Sequence, residues 1–257
     1  MPWARGRCDH PGMDPHITTL AERPGLAAEL WRMPDTWPVF MKHDPAAGLY
    51  YPLAATRYAD HVLVATDDAG EPVARAFSVP FALGGGELPD DGWDGVLWRA
   101  TADRRRGTPP DAISALEITI RPDLQGRGLS AVMLAALRAH AAGLGFAELL
   151  APVRPSNKHL HRRVPMAEYA ALRRDDGLPA DPWLRVHVRA GGAIDKIASR
   201  SMVVAGTLAE WREWTGLPFD RTGEVDVPGA LVPVHCDVTH DHAVYVEPNV
   251  WVRHPLG

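Results

Sequence analysis

The residues of this 257-residue chain best suited to chemistry lie between Ala115 and Ser130. Gly126 and Gly128 bracket Arg127, with Gln125 before them and Leu129 and Ser130 after. Glycine lacks a Cβ, so an anion can approach the backbone closely there. A helix starting near Gly128 would present N–H groups that lack intrahelical partners and carry the positive end of the helix dipole. The implied chemistry is the holding of an anion, and a nucleotide pyrophosphate fits it. The Gly-x-Gly-x-x-Gly spacing of dinucleotide sites fails, because Ala131 stands three residues beyond Gly128. No Gly-Lys-Ser/Thr is present, so this is not a P-loop. The spacing alone also fits an ordinary strand–helix turn. Just upstream, Glu117 is the only carboxylate of its segment and a candidate general base.

The elements that must position these residues read clearly. Leu116, Ile118 and Ile120 alternate with Glu117 and Thr119, the period of a strand, and Pro122 ends it. Leu129, Val132, Met133, Ala136, Leu137 and His140 follow helical spacing, with Gly143 and Gly145 as the stop.

The run Gln125-Gly126-Arg127-Gly128-Leu129-Ser130 resembles the acyl-CoA loop of the GNAT N-acetyltransferase superfamily, Gln/Arg-x-x-Gly-x-Gly/Ala, with Ser130 in place of the usual small residue. Ile118-Thr119-Ile120-Arg121-Pro122 is similar to that family's Leu-Ala-Val-x-Pro strand. Glu148 to Val153 and Asn157 are similar to its next strand and the asparagine after it. The resemblance is specific over residues 115–157. It implies an α/β (α+β) fold with a mixed, mostly antiparallel central sheet flanked by helices, and acetyl-CoA or another acyl-CoA as co-substrate, with no metal. It also implies that Gln125 to Ser130 hold the pyrophosphate and that Ile118 and Ile120 line the pantetheine. A backbone N–H around Ile118 to Ile120, Thr119 included, would face the thioester oxygen, and Asn157 would bond the pantetheine arm.

Acetyl transfer to an amine also needs a base, an oxyanion partner and an acid for the thiolate. His187-Val188-Arg189-Ala190-Gly191-Gly192 resembles the family's Tyr-x-x-x-Gly-Phe, with histidine for tyrosine and glycine for phenylalanine. His187 is thereby a candidate acid, set against a histidine packed near a helix end. Tyr169 is a rival proton donor. Strand alternation places Glu117 on the face away from Leu116 and Ile118, whereas the family's base position falls nearer Ser114 or Leu116. A β-bulge would rescue Glu117.

Composition bounds the rest. A hydrophobic fraction of 46% suffices for a packed core, and a net charge of −5 argues against a general nucleic-acid partner. No apolar run approaches membrane-spanning length, and no signal peptide is visible. The two cysteines, Cys8 and Cys236, suit a reducing cytoplasm better than a disulfide. Three lysines against abundant arginine point to a high-GC bacterial genome.

Residues 1–16 read as a disordered tail, and 17–257 as one domain with an acyl-CoA core at about 55–157. The segment 158–257 reads as a substrate-side insertion and a C-terminal extension. Leu26 to Lys42 reads as a helix broken at Pro34 and Pro38. Residues 61–79 read as a β-hairpin, and 84–112 as a long irregular insertion able to cover the substrate. Asp181 and Pro182 open a short helix, 209–216 form a capped helix, and 227–238 and 243–252 form closing strands. The basic run from Lys158 to Arg174 fits a solvated face, the 3′-phosphate of CoA or an acidic carrier. His235 to His242 carries metal-ligand residue types without zinc spacing and reads as a polar turn.

These features favour an acyl-CoA-dependent N-acyltransferase acting on a small-molecule amine. A carrier-protein donor, acyl-CoA decarboxylation and a non-catalytic acyl-CoA-binding module are the alternatives, and a homodimer is compatible with all of them.

Overall fold

The structure is a computed structural model that describes residues 15–257. Cys8 and all but the last two residues of the expected tail lie outside the described residues. His16, the last residue of that expected tail, belongs to a strand.

The hairpin forms as expected. β2 (Val62–Thr66) and β3 (Pro72–Phe81) pair antiparallel. Asp67 Oδ1 accepts the N–H groups of Ala69 and Glu71 to close the turn between them. β1 (His16–Thr19) extends the hairpin along β2. β4 (Ala112–Ile120) continues the sheet antiparallel to β3, and β5 (Glu148–Val153) lies parallel to β4. A 14-residue strand, β9 (His242–Pro255), closes against β5. It also pairs with β6 (Ala193–Gly206) and β8 (Val234–Asp237), and β7 (Gly223–Val225) follows β8. Among the described residues the order is β1-β2-β3-β4-β5-β9-β8-β7, with β6 on the far side of β9.

Helices cover both faces. α4 (Leu129–Gly143) packs Met133, Leu134 and Leu137 against Ile113, Ala115 and Leu149 on one face. α6 (Pro182–Arg189) and α5 (Met166–Ala171) join that layer. The other face carries α1 (Ala27–Arg32), α2 (Pro45–Ala54), α3 (Gly92–Arg106) and α7 (Leu208–Thr215) over Phe77, Phe81, Tyr245 and Trp251. The segment 26–42 breaks at Pro34 and Pro38 as expected, and resumes as a 3-10 turn over Val39–His43. No helix of the described residues is long and apolar enough to cross a membrane.

One expectation needs correction, and one strand was not foreseen. The stretch 84–112 contains a 15-residue helix, α3, and not an irregular lid. Trp93, Val96, Leu97 and Ala100 bury one helical face, and glycines that look like loop punctuation serve close packing. A Cβ at Gly92 would sit 2.2 Å from Ser201 Oγ. β6 has no counterpart in the sequence reading, because Asp195, Lys196 and Arg200 interrupt its apolar period and its register with β9 shifts twice. In the basic run 158–174, Arg163, Arg173 and Arg174 are exposed, as a solvated face requires, and only Lys158 departs from it. Lys158 is fully buried and donates to the carbonyls of His161, Arg162 and Leu231, while Arg163 pairs with Glu224 and Asp226. Of the His235–His242 segment only residues 238–241 form the turn between β8 and β9, while His235 to Asp237 lie in β8 and His242 opens β9.

Candidate active site

β4 and β5 part company early. They pair only at Ile113–Leu149 and Ser114–Leu150. β4 runs on to Ile120 and β5 to Val153, each still held on its other edge by β3 and β9. The sheet therefore splays into a V between them. From Ala115 onward β4 presents a backbone edge not paired to β5, where an extended ligand can add hydrogen bonds as a strand would.

The glycine turn stands at the mouth of that V. A 3-10 turn over Pro122–Leu124 ends β4, and Gln125 Nε2 donates to the Ile120 carbonyl at 3.3 Å. Gly126 and Gly128 take left-handed angles, φ +78° and +83°, with no heavy atom within 4 Å of an added Cβ. The first bond of α4 is Ala131 N–H to Gly128 O. The N–H groups of Leu129 and Ser130 precede it and point out of the helix start. Gln125, Gly126, Arg127 and Gly128 are exposed, Ser130 is half-buried, and Leu129 anchors the turn in the core.

On the opposite face of β4 a bulge sets the position of Glu117. Phe77 of β3 faces Glu117, but Ser78 faces Ala115, which leaves Leu116 unpaired. The extra residue shifts the alternation. Ile113 and Ala115 pack toward α4, and so do Ile118 and Ile120. Leu116 joins the other core, and Glu117 and Thr119 turn away from α4 with Arg75. Trp93 holds the bulge, donating its indole N–H to the Leu116 carbonyl at 3.0 Å.

Glu117 is buried within a hydrogen-bonded set. Its Oε1 accepts from Arg75 Nε at 2.8 Å and from Thr119 Oγ1 at 2.6 Å, and its Oε2 accepts from the Tyr51 hydroxyl. Burial disfavours the Arg75 charge, yet Glu117 outweighs that and holds the guanidinium above its ordinary pKa. Burial, and then the Glu117 charge, push the Tyr51 phenol well above its usual range. Arg75 also donates to the Leu30 carbonyl and lies 3.7 Å from Asp35.

A second set faces it from the β5–β9 arm. Arg154 clamps the fully buried Glu247 through Nε at 2.9 and 3.1 Å. Glu247 also accepts from Tyr245 Oη at 2.6 Å and Asn249 Nδ2 at 2.9 Å. Trp37 touches both sets. Its indole N–H donates to Thr119 Oγ1 at 3.4 Å, and the Arg154 guanidinium lies 5.6 Å from its ring centroid. Trp37 thus spans the V on the face away from α4. Trp31, stacked on Phe77 at 5.7 Å, extends the aromatic wall.

The other expected residues lie on the α4 face. Asp181 caps α6, accepting from Trp183 and Leu184 N–H, and also accepts from the backbone of Ser156 and Asn157 and from the Tyr169 hydroxyl at 2.9 Å. Tyr169 therefore braces the Asn157 turn, and burial together with the Asp181 charge raises its pKa. Asn157 keeps an exposed side chain. His187 is 2% exposed, and its Nδ1 lies 2.8 Å from His254 Nε2. His254 stands opposite Leu149, at the closed end of the V. Burial lowers the His187 pKa to about 3, with His254 adding to the effect. Sealed in this way, His187 packs the far end of α6, distant from the mouth of the V.

Arg75, Tyr51, Trp37, Trp93, Arg154 and Glu247 carry no sequence signal of their own, since they come from four separate elements and two connecting segments. A weak signal was available in β3, where Arg75 interrupts an otherwise apolar strand.

No family model matches the chain. The chain is 33% identical to the arginine N-acetyltransferase avaD of Aspergillus versicolor, over an alignment that covers 93% of each protein. Among solved structures, the loading GNATL domain of CurA from Lyngbya majuscula superposes with a TM-score of 0.63 at 16% identity, covering 94% of this chain and 98% of that one. The GphF GNAT-like decarboxylase in complex with isobutyryl-CoA superposes with a TM-score of 0.59 at 17% identity, covering 94% and 100%.

Proposed function

The chain belongs to the GNAT superfamily, as an acyl-CoA-dependent N-acetyltransferase, and we propose that its acceptor is arginine or a close arginine derivative. The observation that carries the acceptor is the 33% identity, along nearly the whole chain, to an enzyme named for arginine N-acetylation. Acetyl-CoA would enter the V from the α4 side. The N–H groups from Gly126 to Ser130 would meet the pyrophosphate, with Gln125 and Arg127 at its edge. The pantetheine would run along the free edge of β4 past Ile118 and Ile120 toward the Asn157 turn. A backbone N–H between Ile118 and Ile120 would stabilise the oxyanion, Thr119 included among the candidates.

The amine would approach from the other face, past Trp31, Trp37 and Tyr51. Its nitrogen attacks the thioester carbonyl, a C–N bond forms, the C–S bond breaks and CoA leaves as the thiolate, which takes a proton from water while Glu117 returns the amine proton to solvent. Glu117 takes the amine proton, through the Tyr51 hydroxyl or a water, because both of its oxygens are already engaged. Arg75 pairs with that carboxylate, Nε to Oε1 at 2.8 Å. Tyr169 and His187 act as positioning residues: Tyr169 through Asp181 and the Asn157 turn, His187 through the packing of α6. The setting is cytoplasmic, in the biosynthesis of an acetylated small molecule.

The test is thiol release from acetyl-CoA across a panel of amines with arginine among them. Arginine is expected to give the highest kcat/KM. Release with other amines but not arginine would move the acceptor. No release with any amine would point to a carrier-protein donor.

A further inference from the structure

Arg154 has one donor group to spare. Its Nε donates to both oxygens of Glu247, at 2.9 and 3.1 Å, and its Nη2 donates to the Gly229 carbonyl at 2.6 Å. Glu247 is fully buried and is itself held by the Tyr245 hydroxyl and the Asn249 amide. The guanidinium plane is therefore fixed by partners that have no room to turn. Nη1 makes no hydrogen bond among the described residues and is not sealed from solvent, the side chain being 18% exposed. Leu149, Ala151 and Val153 of β5 pack toward α4, while Leu150 packs in the opposite layer. Alternation places Arg154 on the side of Leu150, the face that Glu117 occupies on β4. Arg154 also follows Val153, the last β5 residue paired with β9, and lies well past Leu150, the last one paired with β4. It stands where the arms of the V have parted, and Trp37 links it to Thr119 on the other arm.

We propose, resting on the reading of the acceptor as arginine, that Nη1 of Arg154 takes the acceptor's α-carboxylate and so selects an amino acid over the amine that lacks one. The Arg154–Glu247 and Arg75–Glu117 pairs are each formally neutral. What Arg154 offers is an aimed N–H group beside Trp37, not surplus charge. Such a donor gains from an oxygen acceptor and nothing from an ammonium or a methyl group. A carboxylate is the strongest acceptor of this kind, because its hydrogen bonds to guanidinium are roughly twice as strong as neutral ones. An α-amino acid carries amine and carboxylate on one carbon. With the carboxylate on Arg154, the α-amine turns toward Glu117 across the V and is the nitrogen acetylated. The acceptor's guanidinium is left to the aromatic wall, where Trp31 is 41% exposed and offers a ring face to a cation.

The test compares kcat/KM for L-arginine and for agmatine, the same molecule without the carboxylate, by thiol release from acetyl-CoA. Arginine is expected to lead by at least about 10-fold, the loss typical of a hydrogen bond to a charged group. Arg154→Lys keeps a cation opposite Glu247 but has no forked third donor group. It should lower kcat/KM for arginine by about the same 10-fold and leave agmatine unchanged. Should R154K fail to fold, R154Q combined with E247Q removes both charges of the buried pair together and is expected to give the same collapse of the ratio. Damage to the fold alone would slow both substrates alike. Equal use of arginine and agmatine by the parent, or a ratio preserved in a folded variant, would overturn the assignment. Turnover of other amines but of neither of these two would overturn arginine as the acceptor instead. Lysine against cadaverine then repeats the comparison, and an absent preference for lysine overturns the Arg154 assignment as well.

Discussion

Trp93 donates its indole N–H to the carbonyl of Leu116 at 3.0 Å, and Leu116 is the residue that bulges out of register with β3. One hydrogen bond from α3 thus reaches the point on β4 that decides which face Glu117 occupies. Trp93→Phe keeps an aromatic ring but leaves the bulge carbonyl without its donor. A loss of about 1–3 kcal/mol is expected in urea unfolding, the cost of orphaning a buried polar group. Turnover should fall with it, while acetyl-CoA affinity stays unchanged, because the glycine turn lies on the other face. Unaltered kcat at unaltered stability would show that the bulge does not depend on Trp93.

Glu117→Gln keeps the shape of the side chain and removes the charge that faces Arg75 and Tyr51. A base role requires kcat/KM for the amine to fall at least about 100-fold. Breaking a buried ion pair also costs about 3–5 kcal/mol, so folding must be checked by calorimetry in parallel. A folded variant that binds acetyl-CoA normally and turns over within ~10-fold of the parent would remove Glu117 from proton transfer. The supporting variant Tyr51→Phe leaves the Arg75–Glu117 pair intact. It should lower kcat more than KM if the phenol relays the proton.

The glycine turn proposed for the donor was legible in the sequence and the side chains on the opposite face of β4 were not, for a physical reason. The glycine turn is local. Strand, turn and helix follow one another within residues 115–143, and the two glycines mark the angles that no other residue takes cheaply. The caps at Asp181 and Gly216 were readable on the same ground, whereas the Thr207 cap lies two residues before the helix start read from the sequence. The wall proposed for the acceptor is assembled from α1, α2, α3, β3 and β9, and nothing in the spacing of Trp37, Arg75 or Glu247 says that they meet. α3 was hidden because Gly92 and Gly95 look like loop residues until Ser201 and Asp91 are seen against them. The bulge at Leu116 was foreseeable only as a requirement of chemistry, since alternation by itself puts Glu117 on the wrong face.

Gly128 has a left-handed φ of +83° and open space around its missing Cβ. Gly128→Ala should therefore fold with a penalty of about 1 kcal/mol from backbone strain alone, and it should bind acetyl-CoA only modestly worse. Gly128→Asp adds a carboxylate where the pyrophosphate would lie. It is expected to weaken acetyl-CoA at least about 10-fold, by like-charge repulsion at close range. Calorimetric titration of both variants separates the two effects. Equal affinities for the alanine and aspartate variants would place the pyrophosphate elsewhere.

The paired histidines behind α6 make a prediction about acid stability. His187 and His254 are both buried, and burial lowers their pKa values to about 3 and about 4, below the ordinary 6.5. Between those values and 6.5 the unfolded chain binds protons that the folded chain refuses, so stability rises with pH across that window. The contribution is complete above about pH 6.5 and is lost as the pH falls toward 4. Each histidine contributes a slope of up to about 1.4 kcal/mol per pH unit. His187→Gln removes one titrating group and should flatten the dependence of unfolding free energy on pH by about that amount between pH 6 and 4.5. Other titrating groups, Asp94 among them, are present in both proteins and cancel in the comparison. Urea unfolding at several pH values measures the slope directly, and an unchanged slope would mean that His187 already titrates freely in the folded protein.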